Sequence, residues 1–412
     1  MPTTLRNASL LALAAAIASC NGGSGDGLNT AGCTAVLRPS ADDQTAFQMA
    51  FVDAQDDADI CVAPGTYTFN ASVAMATRTG VTFRGLGAEP GDVVLDFQHM
   101  TADERAISFT NMTDVTVQNM TILDATHDDL YFKSCHGVTV EHVVAGWVNR
   151  PQHGAYAIYP VESEDVRLDH CEAYGSADAG LYVGQTTNCI VSNSLVHDNV
   201  AGLEIENSTN CEVFGNTAEN NTAGILVFEL PGLLHRGMTT SVHDNISRNN
   251  NHMNFAAGGI VQYVPVGLGI MVMGAHEIEV HGNTLSGNGT TGILLVSYDT
   301  AVVAGADPSM DATYDGRLRH VYVHDNTMMA NSRDPDPAVG GLAQLDGTVE
   351  VDVLWDEVTP ADNVPPQLCI ASSGNFRSID VGGGFADPPS DTIPAEAAAC
   401  MTPVIPAVVL GQ

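Results

Sequence analysis

The chain has 412 residues, with 49 acidic against 14 basic side chains, 9 cysteines and a formal net charge of −35. So negative a surface argues against nucleic acid and anionic lipid headgroups as partners, and it repels polyanionic sugars unless a cation bridges them. Acidity as a solubility device is the plainer account of the same charge, and the length suits either two or three ordinary domains or one solenoid.

At the N-terminus, Arg6 supplies a positive start, Ser9 to Ile17 an apolar run, and Ile17-Ala18-Ser19-Cys20 a small-residue cleavage site ending in cysteine. The run is too short to span a bilayer, so a cleaved signal over residues 1–19 is expected rather than a transmembrane helix. A plain secretory signal with a coincidental cysteine is the alternative. The pattern resembles the lipobox of bacterial lipoproteins, which implies that Cys20 carries lipid and that the protein is exported and held at a membrane. Asn21, where an aspartate would retain a lipoprotein at the inner membrane, favours the outer membrane by analogy with enteric-type sorting. Residues 20–32 are rich in Gly and Ser and read as a flexible tether. Residues 33–400 are expected to form one domain and 401–412 a C-terminal tail.

Asp43 to Val52 carries a helical apolar pattern suited to plugging the mouth of an open coil. Short strands follow, and from residue 157 they settle into an interval of 22 residues. Ala179-Gly180-Leu181-Tyr182-Val183, Ala201-Gly202-Leu203-Glu204-Ile205 and Ala223-Gly224-Ile225-Leu226-Val227 begin one interval apart. The series continues downstream as Gly269-Ile270-Met271, Gly292-Ile293-Leu294 and Gly341-Leu342-Ala343. A second strand recurs in the same period, at Val166-Arg167-Leu168, Cys189-Ile190-Val191, Cys211-Glu212-Val213 and Ile278-Glu279-Val280. Two or three strands per repeat are too few for a propeller blade, and no helix intervenes, so a parallel coil with one turn per repeat remains. The fold class is therefore all-β, a right-handed parallel β-helix solenoid with an N-terminal capping helix and a C-terminal cap. Like stacks on like in such a coil, so Asn199 over Asn221, and Asn216, Asn245, Asn283 and Asn326, read as turn ladders. The period breaks between Gly224 and Gly269 and between Gly292 and Gly341, which places protruding loops at about 249–267 and 299–317.

The stretches Val62-Ala63-Pro64-Gly65-Thr66-Tyr67 and Val81-Thr82-Phe83-Arg84-Gly85-Leu86-Gly87 resemble the opening turns of the pectin-lyase-like β-helix superfamily. Gly154 to Val161, Leu203 to Ser208 and Gly224 to Pro231 are similar to a narrower group of bacterial lipoproteins, the parallel β-helix repeat-containing proteins. That resemblance specifies the fold over most of residues 40–400 and leaves the reaction open. Members are often encoded beside a c-type cytochrome, which implies an envelope redox protein as a partner.

Without Cys20, eight cysteines remain for an oxidising compartment. Cys33 with Cys61 and Cys369 with Cys400 are the expected bridges. Cys189 and Cys211 point inward on adjacent rungs about 4.8 Å apart, and the awkward geometry of a bond there favours stacked free thiols over a bridge. The pairing of Cys135 and Cys171 stays open. Neither a zinc-type C-x-x-C pair nor a haem C-x-x-C-H motif occurs, so the protein is not itself a c-type cytochrome.

The outward column of the first strand runs Tyr131, Tyr159, Tyr182, Glu204, Leu226, Met271, Leu294. The next holds Lys133, Glu206, Phe228 and Met273, with Glu162, Gln185 and Glu229 just beyond. Aromatic faces stack on sugar rings and carboxylates bond hydroxyls or move protons. Tyr131, Lys133, Tyr159, Glu162, Tyr182, Gln185 and Glu229 are therefore candidate glycan contacts. Glu204 and Glu206, about 7 Å apart along one strand, are the candidate catalytic pair. A solvated sheet face with tyrosines packed across rungs is the plain alternative. Leu226, Phe228, Met271 and Met273 are expected to lie under the 249–267 loop.

Alginate epimerases of this fold carry Asp-Pro-His-Asp, and Thr126-His127-Asp128-Asp129 lacks the proline. Pectate lyases need an arginine base beside a calcium-binding aspartate cluster, and Arg150 and Arg167 are not so placed, so neither activity is carried over. Asp307, Asp311, Asp315, Asp334 and Asp336 could hold Ca²⁺, although they lack EF-hand or nonapeptide spacing, and no cofactor or other metal is called for. The leading expectation is a lipoprotein whose groove binds a neutral or weakly acidic glycan, with its modification left open. The alternative is a non-catalytic scaffold docking an envelope partner.

Overall fold

A computed structural model describes residues 27–102, 104–360, 367–371, 373–400 and 404–411; Cys20 and the signal expected over residues 1–19 lie outside them. The expected coil is present: every named strand pairing is parallel, and the strands fall into a long sheet of 20 and a short sheet of 11. A typical rung runs through Ala179–Gly184 on the short sheet, then Thr187–Ser192 and Leu195–His197 on two limbs of the long sheet. Among the described residues no helix is long and apolar enough to cross a membrane.

Inside, like stacks on like. Ile107, Leu130, Ile158, Leu181, Leu203, Ile225, Ile270, Ile293 and Val353 form one column of the short sheet. All of these are fully buried. The asparagine ladders form as expected. The amide nitrogen of Asn216 donates to Asn245 Oδ1 (3.0 Å), Asn245 to Asn283 (2.9 Å) and Asn283 to Asn326 (2.9 Å). The Asn199–Asn221 ladder continues through Asn250, Asn288 and Asn331. Each amide also donates to a backbone carbonyl one rung back, which satisfies groups that the turns would leave unpaired.

The helix Asp43–Asp53 starts where Asp42 accepts from Thr45 N, and it drives Phe47 and Phe51 into the open end. Phe47 packs edge-on against Tyr67 and Phe69 at 5.0 Å. The other end carries the helix Ala395–Ala398 against the strand Leu368–Ala371. Disulfides Cys33–Cys61 and Cys369–Cys400 close the two ends as expected.

Two expectations fail. Cys189 and Cys211 are bridged, with Cα atoms 4.5 Å apart, not stacked free thiols. Direct parallel register brings the two Cβ atoms close enough for a bond that the rung spacing seemed to discourage. Cys135 and Cys171 are the buried free thiols. Gly341-Leu342-Ala343 is not a strand but the end of the helix Pro337–Ala343. Asp336 accepts from Ala338 N and Val339 N, and Pro337 occupies the first turn, a start signal that outweighs the glycine pattern. The strand of that rung is Val353–Trp355, paired with Ile293–Leu295.

Candidate functional site

The outer face of the short sheet changes character along the coil. Over its later rungs, Leu226, Phe228, Met271 and Met273 are buried beneath the 249–267 loop, as expected, and with Leu294 and Val296 they are covered also by the helix Tyr298–Val303 and the helix Pro337–Ala343. An apolar cavity of about 650 Å³ remains between them. Over the earlier rungs the same columns carry tyrosines and carboxylates.

Tyr182 and Glu204 are register partners, as are Gly184 and Glu206. Gly184 leaves room for the Tyr182 ring to lie along its own strand, because a Cβ at 184 would stand 2.3 Å from the ring and hydroxyl. The hydroxyl thereby reaches Glu206 Oε1, donating at 2.6 Å. Tyr156 stands where the next three rungs place Ala179, Ala201 and Ala223, and its hydroxyl donates to Asp178 Oδ2 at 2.9 Å. Its ring meets Tyr159 and Tyr182 at 4.3 and 4.7 Å, and Tyr159 meets Tyr131 at 5.1 Å. Arg105 stacks over Tyr131, 4.0 Å from the ring centre, and pairs with Asp128, which also bonds His127 Nδ1 at 2.6 Å. The aromatic stripe, with Tyr131 and Tyr182 buried and Tyr156 and Tyr159 half-buried, thus runs from an end flanked by the exposed Arg105 and Lys133 side chains to a closed end at three carboxyls.

Asp178, Glu204 and Glu206 share that closed end. Burial pushes the Asp178 carboxyl up to about 7, against the hydrogen bond from Tyr156, and Glu206 raises it further. Burial, Asp178 and Glu206 hold Glu204 well above the carboxylate range. Burial also raises Glu206, opposed by hydrogen bonds from Tyr182 and Glu204. Both glutamates are thus shifted toward their neutral forms, Glu204 the further of the two. Only 1% of Glu204 is exposed, and its Oε2 has no hydrogen-bond partner. The loop contributes the roof: a Cβ on Gly259 would lie 3.5 Å from Asp178 Oδ2.

Of the residues expected from sequence, Tyr131, Tyr159, Tyr182, Glu204 and Glu206 come together, with Lys133 paired to Glu162 at 3.1 Å on the stripe's edge. Gln185 and Glu229 do not join them. Gln185 Oε1 accepts from Leu234 N (3.0 Å), anchoring the 231–236 loop. Glu229 lies beneath Arg236 and Tyr314, and burial pushes its carboxyl up to about 7. The plain alternative of a solvated sheet face does not hold here, since Glu204 and Glu206 are both buried. The loops that cover the later rungs extend over the end of the stripe. The acidic loop residues proposed for Ca²⁺ do not converge either, since Asp311 pairs with Arg236, Asp315 with Arg319, and Asp336 caps a helix.

Asp178, Tyr156 and Arg105 were missed, and His127 and Asp128 were weighed only as an incomplete epimerase motif. The alignment started at the ladder glycine and so excluded the position before it, where the column reads Arg105, Asp128, Tyr156, Ala179, Ala201, Ala223. A charged pair and a tyrosine in an alanine column were the available signal.

Coil and register together define a class, and the chain belongs to it: the family model described as right handed beta helix region matches residues 97–232 and, overlapping them, 149–308. Searched against curated proteins, the sequence returned no match. Among solved structures it is similar to the polygalacturonase from Erwinia carotovora ssp. carotovora, at 11% identity over 74% of this chain and 94% of that one, with a TM-score of 0.52. The A-module of mannuronan C-5 epimerase AlgE4 from Azotobacter vinelandii is also similar, at 16% identity over 84% and 94% of the two chains and a TM-score of 0.49. The catalytic unit of the thermostable GH87 alpha-1,3-glucanase from Streptomyces thermodiastaticus strain HF3-3 covers 84% and 68% at 12% identity and 0.45. At these identities the likeness establishes the fold alone.

Proposed function

We propose that the chain binds a neutral or weakly acidic glycan along the tyrosine stripe of its short sheet and moves a proton on it with Asp178. The observation that carries this reading is the meeting of Asp178, Glu204 and Glu206 with Tyr156 and Tyr182 at the closed end of an aromatic stripe whose other end is flanked by the exposed Arg105 and Lys133 side chains. Stacked tyrosines offer flat apolar faces for sugar rings, and Arg105 and Lys133 supply donors for hydroxyls or a carboxylate. A carboxyl poised near 7 both holds and releases a proton at neutral pH, the property a general acid needs. Glu204 and Glu206 are buried on the same strand, and the charge of Glu206 helps to raise Asp178. The polygalacturonase, which shares the fold, acts on a polysaccharide by its name, in agreement with this reading.

Titration against a panel of neutral and acidic oligosaccharides tests it. Binding that weakens in Tyr159→Ala supports the stripe, and no binding across the panel by the intact chain sinks it. Where turnover is detected, Asp178→Asn should lower kcat about 100-fold while leaving binding intact. We propose further that the protein is exported and lipid-anchored through Cys20; lipid labelling that survives Cys20→Ser would remove that part. A second reading, a non-catalytic scaffold for an envelope partner such as a c-type cytochrome, is favoured by one observation. Glu204 is sealed beneath the loop, so substrate reaches it only if residues 254–263 move. A pull-down that recovers a haem protein, and loses it with Tyr159→Ala, would favour the scaffold.

A further inference from the structure

The outer face of the long sheet carries a second built feature, unrelated to the tyrosine stripe. One of its columns runs Ile190, Glu212, Ser241, Glu279, Tyr322, Cys369, each residue one rung below the last. Cys400 is bonded to Cys369, the last member, and residues 404–411 lie back along the column. Ile405 N donates to Glu279 Oε2 at 2.7 Å and Val408 N to Glu212 Oε2 at 3.0 Å. Gly411 then lies against Asp165, where a Cβ would stand 2.5 Å from Oδ2.

The spacing explains the fit. Glu279 and Glu212 are two rungs apart, about 9.6 Å, and three residues of polyproline II rise about 9.3 Å. Every third backbone N–H of an extended segment thus falls on a carboxylate of every second rung. The burial follows the same period: Val408 is only 7% exposed, whereas its neighbour Val409 is 84% exposed. Pro406 lies between the two donors, where its missing N–H costs nothing.

The sheet side is also prepared for a ligand of this shape. The other oxygens of Glu212 and Glu279 bond His243 and His324 at 3.0 Å, and these rings stack on His281 between them at 4.9 and 5.0 Å. Both carboxylates are therefore held in place whether or not a peptide lies on them. Alongside residues 408–411 the groove opens into a cleft of about 450 Å³ that Thr116, Thr139, Asp165 and Arg167 line from the sheet side. In a chain of net charge −35, residues 404–411 carry no charged side chain, which suits a groove walled by acids.

We propose that this column is a docking groove for an extended, proline-spaced peptide of a partner protein, apolar and without acidic residues, and that residues 404–411 occupy it in the free chain. A tail held in cis competes at an effective concentration in the millimolar range, so a partner must displace it. The test uses a fluorescent synthetic peptide with the sequence of residues 401–412. The full-length chain carrying Ile405→Pro and Val408→Pro, which removes both tail donors, should bind the peptide at least tenfold more tightly than the unaltered chain. A peptide N-methylated at the positions of 405 and 408 should not bind. In the unaltered chain, the amides of Ile405 and Val408 should exchange slowly with solvent and faster under excess peptide. The proposal is overturned if the double variant, with its melting temperature retained, fails to bind, or if the N-methylated peptide binds equally. Should the double variant not fold, unchanged exchange at both amides under excess peptide overturns it alone.

Discussion

Two regions of the molecule bury polar side chains in number, and they do so on opposite terms. In the asparagine ladders each amide is accounted for: Asn221 Oδ1 accepts from the Asn199 backbone and side chain, and its Nδ2 donates to Val196 O and Asn250 Oδ1. In the carboxyl cluster three acids crowd one another, and Glu204 Oε2 has no partner. A polar group buried for architecture is matched to its neighbours, because an unmatched one costs about 1–3 kcal/mol. A cluster left short of partners is retained against stability, as working sites often are.

The largest effect should come from breaking the matched region. Asn221→Ala leaves the Asn199 N–H groups and the Val196 carbonyl buried without partners, so unfolding free energy should fall by about 3 kcal/mol. Chemical denaturation measures it, and a loss below about 1 kcal/mol would mean that the ladder is incidental to stability.

The unmatched region should respond with the opposite sign. The folded-state acidity of Asp178, Glu204 and Glu206 is weakened relative to the unfolded chain, so the folded protein binds more protons above the ordinary carboxylate range. Stability contributed by these groups is therefore present at low pH and lost as pH rises through their folded values. Glu204→Gln removes one member of this titration, since a glutamine stays neutral at every pH. It should raise stability by about 1–2 kcal/mol at pH 8, with little change at pH 5, because one pKa unit corresponds to about 1.4 kcal/mol. An equal change at both pH values would contradict the assignment.

How much of this was legible beforehand follows the same division. The coil, its ladders and its end caps repeat, and repetition reveals itself in one sequence: Asn216, Asn245, Asn283 and Asn326 each follow the same strand ending. The stripe was half legible. Tyr131, Tyr159 and Tyr182 fall in one column, but Tyr156 opens its strand one place before the ladder position and Asp178 lies in the turn before Ala179, outside the columns that the glycines align. Burial of Glu204 was not legible at all. It depends on the loop from residues 249 to 267 folding back over the preceding rungs, a tertiary contact that alternation within a strand does not encode. Pro337–Ala343 misled because a glycine pair mimicked the ladder motif, while Asp336-Pro337 was a local helix start read too lightly.

The smallest effect concerns a third kind of buried polar group. Cys135 and Cys171 sit in the core with their thiols close to backbone carbonyls, the Cys171 sulfur 3.6 Å from Val140 O. Burial pushes the Cys171 thiol up to about 12 and raises that of Cys135 as well. Since the thiolate is the nucleophile, neither should react with iodoacetamide in the native protein at pH 8. Denaturation without reductant should then expose these two thiols while Cys33–Cys61, Cys189–Cys211 and Cys369–Cys400 stay closed. Peptide mass analysis locates the adducts. Labelling of Cys189 or Cys211 in that experiment would show the inner bridge to be open, and the two sulfurs would then be the stacked thiols that rung spacing first suggested. Labelling of Cys171 in the native chain would mean that its rung opens to solvent, and the matched region would lose its claim to be the rigid one.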